Sequence, residues 1–538
     1  MTSEFKSNHI LELTKENIAI SDSDPEDIKQ FNVFRNISKK LDSFGIEQRG
    51  IHRIKPYERS KASRLSLFVS VIGFWVSASG GLSTMSSFVL AANVFNLDFR
   101  QSLLCGLLGQ ILGCFIAAYC SIMGPKSGCR QMVTARYLFG WWFVKFVSMI
   151  GCIGVLGWSV VNCVVAGEIL SSVSDGKVPL YVGIIIVTVL SFVVSIFGIK
   201  QLLRIEKFIS IPVITVFILQ YISLAPKYSK LNEFTNTDID PLYIKGSWLS
   251  FFSFCYSATG TWGTIAADYY ILFPETTPNY QIFGLTFFGI MIPSTFVGII
   301  GLILSNLSMT DSLFETSYNN YGFGGLLDAS FKRFGGFGKF CTIVLLLSLI
   351  ANNIINTYSG AFSIQLIGIG FAKVPRWCWV ILISITYLVC ALVGRSHFST
   401  ILGNFLPMIG YWVSIYFIML LEENTIFRNY YLNLYSKEFS NDINDVEKDI
   451  IPINLRTKRQ NYNWDKWNDY KSLTNGYAAF VAFLFGVVGC ILGMSQVYYI
   501  GVVATKLGDG DIAMWLSIGF TGLIFPPLRY LELKKFGR

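Results

Sequence analysis

Apolar runs of about 20 residues recur along this chain of 538 residues, each long enough to cross a bilayer's hydrocarbon core as a helix. We read about twelve of them. The first six centre on Trp75–Leu90, Gly106–Tyr119, Phe146–Val165, Val182–Phe197, Ile209–Tyr221 and Ser250–Tyr270. The second six centre on Gly284–Leu304, Cys341–Phe362, Val380–Val393, Leu402–Leu420, Ala479–Met494 and Ala513–Pro526. Polar positions gather in an N-terminal tail (1–64), in a loop (422–475) and in a C-terminal tail (531–538). The pattern predicts an all-α integral membrane protein whose twelve-span domain covers residues 65–530.

Three spans carry polar or glycine-rich residues where a crossing helix should be most apolar. The sixth reads FFSFCYSATGTWGTIAADYY, with Ser257, Thr259, Gly260, Thr261 and Gly263 around Trp262. The first reads GFWVSASGGLSTMSS, with Ser77, Ser79, Gly80, Gly81 and Ser83. Irregular backbone at membrane depth is tolerated only where protein buries it or where it lines a cavity. Ser-Ala-Ser-Gly-Gly and Ser-Ala-Thr-Gly-Thr-Trp-Gly lie five spans apart. That spacing predicts a five-plus-five inverted repeat (65–225 and 247–421) followed by two extra helices (476–528). Paired broken helices of this kind point to a transporter's substrate site.

Composition agrees with the membrane class. Hydrophobic residues make up 52% and charged residues only 14%, against about 25% charged in a soluble domain. The net charge of +9 lies in the tails and alternate loops, so it reads as an orientation signal and not as a nucleic-acid surface. Arg49, Arg53, Lys55, Arg59, Lys61 and Arg64 precede the first span. Lys126, Arg130 and Arg136 follow the second, Lys200, Arg204 and Lys207 the fourth, and Arg428, Lys437, Arg456, Lys458 and Arg459 the tenth. The positive-inside rule then places both termini in the cytoplasm. The sixth–seventh loop around Glu275 adds no Lys or Arg to this count. The 11 cysteines lie in or beside apolar spans and read as reduced packing residues. With three histidines and no zinc-type spacing, the sequence offers no metal set. It also offers no phosphate loop and no nucleophile–base pair, which argues against an enzyme.

Candidate binding residues come from polar and aromatic positions inside the spans. Trp158 and Asn162 stand at i, i+4, so an indole and a carboxamide share one helix face. Such a pair either stacks on and hydrogen-bonds a flat ligand or joins helices. Trp262 lies within the broken sixth helix, with Asp268 near its end as a cap or ion-pair partner. Asn352, Asn353 and Asn356 form the densest polar cluster of any span, too costly to leave in hydrocarbon without partners. Glu206 at the start of the fifth span reads either as a proton-relay carboxylate or as a partner for adjacent Arg204 and Lys207. Ser348 is the single hydroxyl just upstream of Asn352, a poor start for a Na⁺ cage.

Several of these segments together resemble the fungal purine–cytosine branch of nucleobase–cation symporter family 1. They are GIEQRGIHRIKPYERS (45–60), SGCRQMVTARYLFGWW (127–142), GWSVVN with Trp158 and Asn162, TWGTIAADYYILFPE (261–275), IANNIINTY (350–358) and RYLELKKFGR (529–538). The resemblance implies a leucine-transporter-type fold and uptake of a small heterocycle with protons. It assigns substrate contacts to Trp158, Asn162, Trp262, Asn352 and Asn356, and proton coupling to Glu206; Ser77 and Ser79 join the substrate set from the first-span break. Two positions depart from the nucleobase carriers. Ile355 stands where they have proline, and Ser79 where they have asparagine. SASGGLS, NNIINTYS and YNWDKW are instead similar to a vitamin B6 subgroup of the family. The expected cargo is therefore pyridoxine, carried with protons across the plasma membrane, with no cofactor and no nucleic-acid partner. A nucleobase–proton symporter and a nutrient-sensing transceptor remain the alternatives.

Overall fold

The computed structural model describes residues 50–59, 63–197, 199–439 and 461–538. Most of the expected N-terminal tail and part of the polar loop lie outside them, with Arg49, Lys61, Arg456, Lys458 and Arg459. The first span is two helices, α1 (Arg64–Ser79) and α2 (Leu82–Asn93), bent by 44° at the Gly80–Gly81 pair. It is followed by α3 (Phe99–Ser121), α4 (Arg136–Val173), α5 (Leu180–Ser195), α6 (Ile199–Leu224) and α7 (Pro241–Gly260). Beyond Gly260 the sixth span narrows into two tight turns, Thr261–Thr264 and Ala266–Tyr269, separated by Ile265 at φ −135°. The second half runs through α8 (Asn279–Thr310), α9 (Ser312–Ser330), α10 (Leu346–Ile367), α11 (Arg376–Gly394) and α12 (Phe398–Glu422). The last pair, α13 (Tyr477–Gly493) and α14 (Ala513–Phe536), is joined by a two-stranded hairpin, Ser495–Gln496 with Tyr499–Ile500.

All twelve expected runs are helical. Seven helices among the described residues are long and apolar enough to cross a membrane, and the bent α1–α2 pair makes an eighth. The apolar α5 and α13, at 16 and 17 residues, are shorter. The sixth run is shortened by its own break, and α14 carries two prolines and a basic last turn. Length and apolarity thus mark up to eight crossings where the sequence pattern marks twelve.

Small residues let the first-half and second-half helices meet closely. A Cβ on Gly113 of α3 would stand 2.2 Å from the Thr259 hydroxyl and 2.4 Å from the Tyr256 carbonyl, so α3 and α7 are in backbone contact there. Ile355 is fully buried and α10 runs unbroken through it, the geometry expected once the family's proline is absent.

Where α12 and α14 end, a buried ion network replaces apolar packing. The Glu423 carboxylate accepts from Arg428 (3.1 Å), from Arg529 (3.0 Å) and from the Tyr435 hydroxyl (2.7 Å). Arg428 also pairs with Glu438 at 2.8 Å, and Arg529 with Glu532 at 3.0 Å. Removing one partner of a buried pair strands the other charge and costs about 3–5 kcal/mol. Glu423→Gln should therefore lower the melting temperature of the detergent-purified protein sharply. An unchanged melting curve would show that the network carries no net stability.

At the start of α9, Asp311 receives Lys227 at 2.7 Å and Lys230 at 3.0 Å. Burial pushes its carboxyl up, but the two ammonium hydrogen bonds outweigh that and bring it down to about 2. A depressed carboxyl contributes stability above its unfolded value, near 4, and loses it as pH falls towards 2. Melting temperature should fall over that window, and Asp311→Asn should flatten the dependence.

Candidate substrate site at the first-span break

The site grows from the broken first span. Where α1 ends, its last carbonyls have no helical partner and must find donors elsewhere. The Ala78 carbonyl accepts from the Asn352 amide at 3.0 Å, and the Ser79 carbonyl from the Thr84 hydroxyl at 2.7 Å. On the far side of the break, the Leu82 N–H, the first of α2, donates to Ser348 at 3.1 Å. Gly81 is needed for this approach, since a Cβ there would lie 2.9 Å from the Ser348 Cβ. The Ser348 hydroxyl itself donates to the Leu345 carbonyl, so its bonding is already committed.

Asn162 of α4 ties these pieces together. Its Oδ1 accepts from Ser83 of α2 at 2.6 Å, and its Nδ2 donates to Asn352 at 2.9 Å and to Asn353 at 2.8 Å. Asn353 passes its own amide to the Cys163 sulfur at 3.3 Å, and Asn356 donates to Asn352 at 2.9 Å. Three helices are thus joined by one carboxamide chain.

Beside this chain lies a small cavity. Trp158 of α4, Trp262 of the sixth-span turn, Asn352 and Asn356 of α10, and Ser83 and Thr84 of α2 line it. Trp75 holds Trp262 edge-on, ring centres 5.5 Å apart at 89°, and Trp75 is itself fixed by its N–H donating to Tyr270 at 2.9 Å. The Asn356 Oδ1 accepts from none of the described residues, which leaves an acceptor available at the cavity.

The remaining sequence candidates are placed elsewhere. Asn162 is fully buried and does not line the cavity; its amide holds helices together instead of facing a ligand. Ser77 donates to Glu206 at 2.6 Å and Ser79 to the Trp75 carbonyl at 2.6 Å, so neither hydroxyl lines the cavity. Asp268 accepts from the Gln131 backbone N–H at 2.7 Å, next to the sixth-span turns. Glu206 is fully buried on α6, and its Oε1 meets no donor. Arg204 and Lys207 lie on the exposed side of the helix, so the local ion pairs open to it in sequence are not made.

The match to known proteins agrees with this geometry. Residues 60–516 match the family described as permeases for cytosine/purines, uracil, thiamine and allantoin. The chain belongs to this permease family. It is 57% identical over 523 residues to the vitamin B6 transporter TPN1 of Saccharomyces cerevisiae, covering 93% of this chain and 90% of that protein. It is 30% identical to the purine-cytosine permease fcyB of Emericella nidulans, covering 94% and 93%. In fold it is similar to Mhp1, a nucleobase-cation-symport-1 family transporter solved closed around bromovinylhydantoin, with a TM-score of 0.63 at 13% identity over 91% and 96% of the two chains. This permease is therefore a multi-pass membrane transporter with a leucine-transporter-type helix arrangement.

The permease's cavity also has walls that the sequence pattern does not single out: Thr264 and Ile265 in the sixth-span turns, and Ile409 and Trp412 on α12. Thr264 and Ile265 follow directly on the interrupted segment, the signal that could have found them. Ile409 and Trp412 sit in an apolar run where nothing distinguishes cavity wall from core.

The two kinds of site residue should separate on substitution. Asn162→Ala leaves the Ser83, Asn352 and Asn353 groups short of a partner, at about 1–3 kcal/mol per stranded group, so it should lower melting temperature without any ligand present. Trp158→Phe, which keeps a ring in the same buried seat, should leave melting nearly unchanged and weaken transport. Equal destabilisation by both would place Trp158 in the helix packing.

Proposed function

We propose that this permease is a proton-coupled importer of vitamin B6, with pyridoxine as cargo, in the plasma membrane and with both termini in the cytoplasm. The observation that carries the cargo reading is the 57% identity, over nearly the whole of both chains, to a vitamin B6 transporter. The cavity suits the same chemistry. Pyridoxine is a flat, neutral aromatic ring with hydroxyl groups. Trp158 and Trp262 offer faces for stacking, and the Asn356 Oδ1 offers an acceptor for a hydroxyl.

The coupling reading rests on Glu206. Its hydrogen bond to Ser77 reaches α1 just before the break, while Ser83 and Thr84 just beyond the break line the cavity. Protonation of Glu206 changes how α6 holds α1, and occupancy of the cavity changes how α2 is held. Both act on one hinge, the arrangement needed for two ligands to bias the same rocking equilibrium. The basic segments before α1 and after α12 supply the inward orientation. Cytosine or another nucleobase as cargo is the second reading, favoured by the 30% identity to a purine-cytosine permease.

Uptake of labelled pyridoxine by cells lacking their own carrier tests this directly. Uptake should rise as external pH falls from about 7 to 5, collapse with a protonophore, and resist an equal concentration of cytosine. Glu206→Gln should abolish the pH dependence, and Trp158→Ala should weaken affinity by at least about 2- to 13-fold. Strict Na⁺ dependence would overturn the coupling; efficient competition by cytosine would overturn the cargo.

A further inference from the structure

A third tryptophan meets the cavity, and its polar atom has no partner among the described residues. Trp412 on α12 lines the same space as Trp158 and Trp262. It is 5% exposed, its ring stacks on Tyr416 with centres 5.6 Å apart, and its Nε1 is buried without any hydrogen-bond acceptor. A buried indole N–H ordinarily finds a partner, because it can only donate and loses its water on burial.

Glycines of α4 face this ring and its neighbours on α12. Along one face of α4, Gly151, Gly154 and Gly157 stand opposite Trp412, Ile409 and Phe405 of α12 in register. A Cβ at Gly151 would lie 4.0 Å from the Trp412 Cζ2, the ring atom next to the carbon that carries Nε1. Gly151 also lines the cavity, so this edge of the indole packs against a residue of the cavity wall. The other polar groups at hand do not serve it. The Asn352 Oδ1 already accepts two amides, and the Thr264 hydroxyl makes no hydrogen bond with Trp412.

We propose that Trp412 is a specificity-determining residue of the transport site, its indole N–H donating a hydrogen bond to an acceptor on the edge of the bound heterocycle. With the Asn356 Oδ1 as the open acceptor on α10, the cavity then reads one donor edge and one acceptor edge of a ring whose faces meet Trp158 and Trp262. This deepens the cargo reading above and, for pyridoxine, rests on it. The ring nitrogen and the 3-hydroxyl oxygen are the acceptors that lie in the plane of that ring.

The test pairs one substitution with a set of cargo analogues. Trp412→Phe keeps an aromatic ring against Tyr416 and removes the N–H. Surface-expressed wild type and variant are compared for inhibition of uptake by pyridoxine, by 3-deoxypyridoxine and by the benzene analogue with C–H in place of the ring nitrogen. The variant should bind pyridoxine about 2- to 13-fold more weakly, the range of one lost hydrogen bond. Whichever analogue lacks the accepting atom should bind wild type and variant alike. Unchanged pyridoxine affinity in Trp412→Phe, or the same loss for pyridoxine and both analogues, would overturn the assignment. If wild type carries another heterocycle instead of pyridoxine, the cargo reading falls alone. The same comparison with that ring and its acceptor-deleted analogues then decides the role of Trp412.

Discussion

The structure depends on how a broken helix is kept in a place with no water. The 44° bend after Ser79 frees carbonyl groups at membrane depth, each of which would cost several kcal/mol if left without a donor. Asn352 and Thr84 supply those donors, and Ser348 takes the first N–H of α2. Asn352 and Ser348 belong to α10 in the second half of the chain, so the break in the first half is held by the second.

The same arrangement separates two roles along one span. Before the break, Ser77 holds Glu206; after it, Ser83 holds Asn162 and faces the cavity. Glu206 and the cavity therefore meet this span on opposite sides of a two-residue break. Small residues make that break possible. Gly81 admits Ser348, and backbone contact at Gly113 keeps the sixth-span break registered against α3. Interhelical hydrogen bonds in membranes average only about 0.6 kcal/mol each, so the carboxamide chain holds these helices through several modest bonds and not one strong one.

How much of this was legible in the sequence depends on the kind of signal. The breaks at Gly80–Gly81 and around Trp262 were legible because glycine and hydroxyl residues inside an apolar run weaken a crossing helix at the point where it should be strongest. The asparagine cluster was legible as a group that needs partners. What could not be read was which partner each amide takes. Asn162 shares a helix face with Trp158, and that spacing cannot distinguish an amide facing a ligand from one facing Ser83 and Asn352. Ser77 and Ser79 stood in the right segment, but their hydroxyls are used by Glu206 and by the Trp75 carbonyl. Trp412 was invisible for the opposite reason, since an indole among Ile, Tyr and Val looks like core until the glycine face of α4 is set opposite it. The count of crossings blurred where the breaks and prolines that serve function also shorten the apolar run.

A cavity of this composition places a limit on how selection is made. Apolar and aromatic walls discriminate weakly between rings of similar size, whereas a polar group that would be left unpaired discriminates strongly. Most carboxamides near this cavity are already bonded within the protein, so they shape the wall without reading the cargo. Selection then falls to the few atoms still open, the Asn356 Oδ1 on α10 and the Trp412 N–H on α12. Those two helices come from the second repeat, while Trp158 and the first-span break come from the first. On the proposed assignment, a ring that stacks on Trp158 and satisfies both open atoms leaves neither buried polar group unpaired, and a ring that misses either one does not.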